Sequence, residues 1–230
     1  MTSQNTTTIA RHSRPTPPGV EWLKTFPFAA MRDVNRRCID LLVHAARTSK
    51  VLPFSLVWAL RDPLRHSTPA DREAAAARAF LLVDMQFDQP GWWRQVLNEP
   101  EREFRNYPGS GSFPRQSGVA LARATMTLAW NAVTVNPIAA SILLGMDPEV
   151  AQLISSMPVT SIDGFATRHF RRVRPRWADR TETWSELLRA SEPSPNANRC
   201  DLDLHALKLL LGDSFRQTHR DGASVLAPGR

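Results

Sequence analysis

Cysteine and lysine are scarce in this chain, and so are long apolar runs; each scarcity closes off a class of function. The two cysteines, Cys38 and Cys200, stand far apart with no Cys or His at metal-ligand spacing beside either. That excludes a zinc site built on paired cysteines. A single long-range disulfide stays open, but so cysteine-poor a chain fits a reducing cytoplasm better. No run of about 18 apolar residues is present to span a bilayer. The opening MTSQNTTTIARHSR lacks the apolar stretch of a signal peptide. The expectation is a cytoplasmic protein with no membrane partner. Strand-type alternation is also missing beyond a few residues, which points to an all-α fold.

What the chain does have is arginine. It carries +7 overall, and its only lysines are Lys24, Lys50 and Lys208. Between Gly164 and Arg180 there are six arginines (Arg168, Arg171, Arg172, Arg174, Arg176 and Arg180) against one acid, Asp179. Charge concentrated on one short element attracts a polyanion more effectively than charge spread over a surface. His169, Phe170 and Trp177 are interleaved with these arginines, and Phe170 and Trp177 read better as anchors to the core than as base contacts. The candidate nucleic-acid-binding residues are therefore Arg168, His169, Arg171, Arg172, Arg174 and Arg176.

The organisation reads as follows. Residues 1–19 form a Thr/Ser/Pro-rich disordered tail, and 20–107 an N-terminal helical region. Within it, Val34, Cys38, Leu41, Leu42 and Ala45 recur on one helix face. Thr68-Pro69 starts another helix, and the alanine-rich run from Arg72 to Phe87 continues it, ended by Gln89-Pro90-Gly91. The Trp92-Trp93 pair opens a further short helix. Residues 108–118 combine Pro, Gly and Ser as a linker. A second helical domain spans 119–192, with Val119, Ala122, Met126, Ala129, Trp130 and Val133 as one apolar stripe. Asn136-Pro137 and Asp147-Pro148 each set a capping residue before a proline, with Gly145 between them as a C-terminal cap. Val150, Leu153, Ile154 and Met157 form the inner face of the helix after Asp147, and a helix over 178–190 packs through Trp184, Leu187 and Leu188. Residues 200–212 form a C-terminal helix apolar on nearly all sides, which implies burial or docking on another subunit. Residues 213–230 are a flexible tail. The predicted architecture is a multi-helix bundle whose C-terminal half is helix-turn-helix-like.

Catalysis has little support. His12, His44, His66, His169, His205 and His219 are scattered without a carboxylate or cysteine at catalytic spacing. Asp201 and His205, one helical turn apart, make half a metal site and more often an ordinary surface contact. Gly109–Ser112 lacks both the GxSxG order of a nucleophile elbow and the terminal GK[ST] of a phosphate-binding loop. The chain is read as no enzyme, with no cofactor and no metal.

The order Leu144-Gly145-Met146, Glu149, Ala151, Leu153-Ile154, Met157, Ile162, Phe165-Ala166, Phe170-Arg171, preceded by the helix ARATMTLAWNAVTVNPIAASI, resembles FlhD. That family is the D subunit of a bacterial transcriptional activator of flagellar or transfer genes. The likeness covers residues 119–177 and consists mostly of core-type positions. It implies a helical homo-oligomer that joins an FlhC-like partner and RNA polymerase on double-stranded DNA. The chain departs from the family in its greater length, and residues 20–107 have no counterpart there. The segment LPFSLVW faintly resembles a piece of the FlhC partner, whose zinc site is absent. The expectation is a DNA-binding transcriptional regulator, of activator type; the alternative is a helical interaction or adaptor protein whose arginines meet an acidic protein.

Overall fold

In a computed structural model that describes residues 22–48, 55–98 and 111–189, almost all regular structure is helical. The helices are α1 (Trp22–Thr25), α2 (Phe28–Thr48), α3 (Leu56–Ala59), α4 (Arg61–His66), α5 (Pro69–Ala76), α6 (Pro90–Asn98), α7 (Arg115–Val135), α8 (Pro137–Leu143), α9 (Pro148–Ser156), α10 (Ile162–His169) and α11 (Thr181–Arg189). Short 3-10 turns cover Val159–Ser161 and Phe170–Arg172. A two-residue antiparallel pair joins β1 (Val83–Asp84) to β2 (Arg174–Pro175). The fold is all-α.

Local chemistry sets several of the helix starts. Thr68 accepts from Asp71 N while the Asp71 carboxylate accepts from Thr68 N, a reciprocal cap with Pro69 in the first turn. Asn136 accepts from Ala139 N at 2.9 Å and Asp147 from Glu149 N at 2.7 Å. Between α8 and α9, Gly145 takes φ +57°, the left-handed turn that a side chain disfavours. The α8–turn–α9 order is thus in place as the spacing predicts.

α7 is the hub: α2, α8, α9, α10 and the 170–172 turn all pack on it. Trp130 Nε1 donates to Met157 O at 3.0 Å, tying α7 to the end of α9. On the other side, a surface network pins α5 to α2. There Glu73 binds Arg32 and Arg36, and Asp40 binds Arg36 and Arg72. The two arginines hold the Glu73 carboxyl below its ordinary range, against a smaller opposing effect of burial.

Two expectations change. The run Arg72–Phe87 is not one helix: α5 stops at Ala76 and the chain continues through bends at Phe80–Met85, all buried, with only Val83–Asp84 as strand. Asn35, buried on α2, explains the break. Its amide donates to Phe80 O at 2.9 Å and Ala76 O at 3.3 Å, and its carbonyl accepts from Leu82 N at 2.7 Å. These tertiary bonds satisfy main-chain groups that a helix would otherwise satisfy, so alanine propensity is overridden. Nor does 108–118 act as a linker throughout, because Phe113 is buried and Arg115 already lies in α7. The regions on either side share one hydrophobic core rather than two. Main-chain bonds also stitch them together: Leu81 N to Leu143 O (2.9 Å), Asp147 N to Phe87 O (2.9 Å) and Arg176 N to Leu82 O (2.8 Å). The expected tails and the C-terminal helix at 200–212 lie outside the described residues.

Candidate functional site

α10 shows how the arginine segment is sorted. Ile162, Phe165, Ala166 and His169 are buried at helical spacing, so Asp163, Thr167 and Arg168 face outward. Asp163 is held by Arg123 of α7 at 2.6 Å. Phe165 stacks on Trp93 of α6, ring centroids 5.0 Å apart, and Trp93 stacks on Phe87. The helix is thereby anchored against α6 and α7, and Arg168 lies back along its outer side over Gly164.

His169 points inward. Only 7% exposed, it sits 4.6 Å from the Phe165 ring and 5.5 Å from Trp92, edge-on. Burial, aided by the charges of Arg168 and Arg172, pushes its pKa down to about 4. It is a neutral core residue at pH 7, and its grouping with the nucleic-acid-binding arginines is corrected: no phosphate can reach it.

After α10 the chain tightens into the 170–172 turn, closed by Val173 N donating to Phe170 O at 3.1 Å. Phe170 wedges against Gly118 of α7, where a Cβ would meet its ring at 3.0 Å. The backbone of Arg171 lies similarly close to Gly111. Arg171 is exposed, its guanidinium 5.7 Å from the Phe170 ring, and half-buried Arg172 lies 5.5 Å over Trp92. Such stacking holds a guanidinium in place while leaving its edge donors outward.

Further along, the arginines become scaffold. Arg174, on β2, pairs with the buried carboxylate of Asp84 on β1 at 2.8 Å and keeps about half its surface outward. Arg176 is only 9% exposed and donates from Nη2 to Leu144 O and, at 3.5 Å, to Val83 O. Its own carbonyl accepts from Trp184 Nε1 at 2.7 Å. Arg176 thus joins the end of α8, β1 and α11, and is corrected from a phosphate contact to a structural strut. Trp177 is buried beside Phe80, in keeping with its expected role as an anchor, but in a left-handed backbone (φ +52°) that no sequence rule signals.

Arg168, Arg171 and Arg172 therefore remain at one outward edge, with Arg174 beyond them. Sequence reasoning misses Arg115 because it falls inside the expected linker. It lies exposed in the first turn of α7, one turn before the Gly118 that meets Phe170. Among the described residues, Arg115, Arg168 and Arg171 pair with no carboxylate, whereas Arg32, Arg36, Arg37 and Arg72 on α2 and α5 are all matched by acids. The second helix of the helix-turn-helix order, α9, carries no such charge. Asp147 and Glu149 occupy its start, and Gln152, Ser155 and Ser156 face outward.

Elsewhere, Cys38 is buried in α2, and burial raises its thiol to about 12. No group of three His, Cys, Asp or Glu suited to a metal ion occurs among the described residues, and no helix there is long and apolar enough to cross a membrane. No family model, curated protein or solved structure matches this chain.

Proposed function

We propose that this chain is a DNA-binding transcriptional regulator that grips the phosphate backbone through Arg115, Arg168, Arg171 and Arg172. The observation carrying this reading is the outward arginine edge at the end of α10, where Arg115, Arg168 and Arg171 have no carboxylate counterpart among the described residues. Backbone contacts fix position on a duplex without reading sequence. α9, acidic at its start and polar outside, does not offer the arginines of a base-reading helix, so sequence choice would come from DNA shape or from a partner. An FlhC-like protein and RNA polymerase are the partners that the FlhD resemblance implies, with a homo-oligomer of this chain as the binding unit.

The test is fluorescence anisotropy with random duplex DNA over a salt series. The parent should bind with a micromolar Kd and a steep salt slope. Replacing Arg115, Arg168 and Arg171 together by Ala should flatten that slope by about 3 units, one for each phosphate no longer neutralised. An unchanged slope rejects the assignment.

A second reading, a helical adaptor without nucleic acid, has its own observation. Ile138 is 74% exposed and Ile142 of the same helix face 38%, with Val135 outward at the neighbouring end of α7. Under this reading the purified protein carries no nucleic-acid absorbance that high salt removes and binds no random duplex at low salt, and Ile138→Glu breaks a protein complex while keeping the parent's helical circular dichroism.

A further inference from the structure

Arg123 and Asp147 bound the longest stretch of this chain without a charged side chain. Residues 124–146 hold no Asp, Glu, Lys, Arg or His, although 22% of the chain is charged. The stretch supplies the C-terminal half of α7, all of α8 and the turn that follows. Its inner side is core: Leu128, Ala129, Ala132, Ala139 and Ala140 are buried. Its outer side is apolar as well. Val135, Ile138 and Ile142 face outward there, and Ile138 is the most exposed large apolar side chain among the described residues. Single exposed apolar side chains such as Leu23 and Trp58 are ordinary; three together on an uncharged face mark a contact surface.

We infer that this face joins two copies of the chain about a two-fold axis, α8 against α8, with Ile138 and Ile142 of each copy packed on those of the other. Charge selects a second copy as the occupant. An acidic protein or an anionic lipid surface is drawn to arginines, and residues 124–146 offer none. A charged side chain that a partner buried here would find no counter-charge on the run. The matching surface is therefore itself uncharged and apolar, and the chain's own face is of that kind. Two chains of +7 repel wherever their basic surfaces meet, and a two-fold axis sets each patch opposite itself. With the axis on α8, the run sets no like charges opposite each other. The arginine edge also stays distant. Arg115 and Val135 stand at opposite ends of α7. That rise of about 30 Å is well beyond the roughly 8 Å over which exposed charges interact in physiological salt. The inference gives the homo-oligomer of the reading above a face and a stoichiometry. It rests on this face and not on nucleic-acid binding, and its test contains no DNA.

The test is equilibrium sedimentation of the full chain over roughly 1–100 μM. It should show reversible association from the 25.8 kDa chain to twice that mass, with a micromolar Kd. Raising salt should tighten the dimer by screening the repulsion between +7 chains, the reverse of its effect on DNA binding. Ile138→Glu enters a two-fold interface twice and should weaken the dimer by about 100-fold or more. Ile138 lies in the first turn of α8, where an acidic side chain is favoured, so helical circular dichroism should match the parent. Ile142→Ser, a milder second variant, should weaken the dimer by about tenfold. Trp58→Glu, on α3, should leave it unchanged. A parent that stays monomeric at about 100 μM overturns the inference and leaves the face to a different protein. So does a dimer that salt dissociates, which would mark an ionic interface. Unchanged association in the folded Ile138→Glu and Ile142→Ser variants, or equal loss in folded Trp58→Glu, overturns it too.

Discussion

At the scale of single residues, neighbours in the arginine segment do opposite work. His169 and Arg168 are adjacent, yet one is sealed against Phe165 and the other faces water. With its folded-state pKa near 4, His169 stays neutral while an unfolded chain begins to protonate near pH 6.5. The unfolded state therefore binds the extra proton first, and this contribution to stability, full above about pH 6.5, is lost as pH falls toward 4. Denaturant midpoints should drop over that interval, and His169→Phe should remove about 2 kcal/mol of the drop. The Gly118–Phe170 contact yields a second expectation. Replacing a helical glycine by alanine ordinarily gains about 0.5–1 kcal/mol. Here the new Cβ would press on the Phe170 ring at 3.0 Å, so Gly118→Ala should instead lower Tm.

At the scale of elements, helix starts are legible in the sequence and the sorting of the arginines is not. Thr68-Pro69, Asn136-Pro137 and Asp147-Pro148 act through bonds closed within three residues, so their spacing alone reports them. Asp147→Ala should cost about 1 kcal/mol of stability, measurable by chemical denaturation. The stretch 78–87 escapes a local reading because its conformation is decided by Asn35, more than forty residues away in the chain. Burial of His169 has a readable signal, since it continues the Ile162–Phe165–Ala166 face. Arg176 has none: its carbonyl partners Leu144 and Val83 come from distant parts of the chain. The distinction is measurable. Arg176→Ala strips a donor from buried carbonyls and should destabilise by about 1–3 kcal/mol, without changing the salt slope of DNA binding. Arg171→Ala should reverse that pattern, lowering the slope by about one unit and leaving Tm near the parent value.

At the scale of the whole molecule, a chain whose composition suggests a division at 108–118 closes around one core, with α7 packed against elements from both sides of the division. Unfolding should accordingly be a single transition, with tryptophan fluorescence and helical circular dichroism coinciding; two separated transitions would mean the shared core does not bind the regions into one cooperative unit. The all-α class is legible because helical periodicity and caps are local; the union of the two regions is not, because a core shared between segments so far apart in the chain leaves no mark on spacing. That union constrains how the gene can change. The buried faces of α2 and of α7 meet each other, so neither half can be exchanged by recombination with a diverged relative and still find a matching surface. Inheritance must keep the two halves together, and substitutions on one side of the joint must be answered by substitutions on the other.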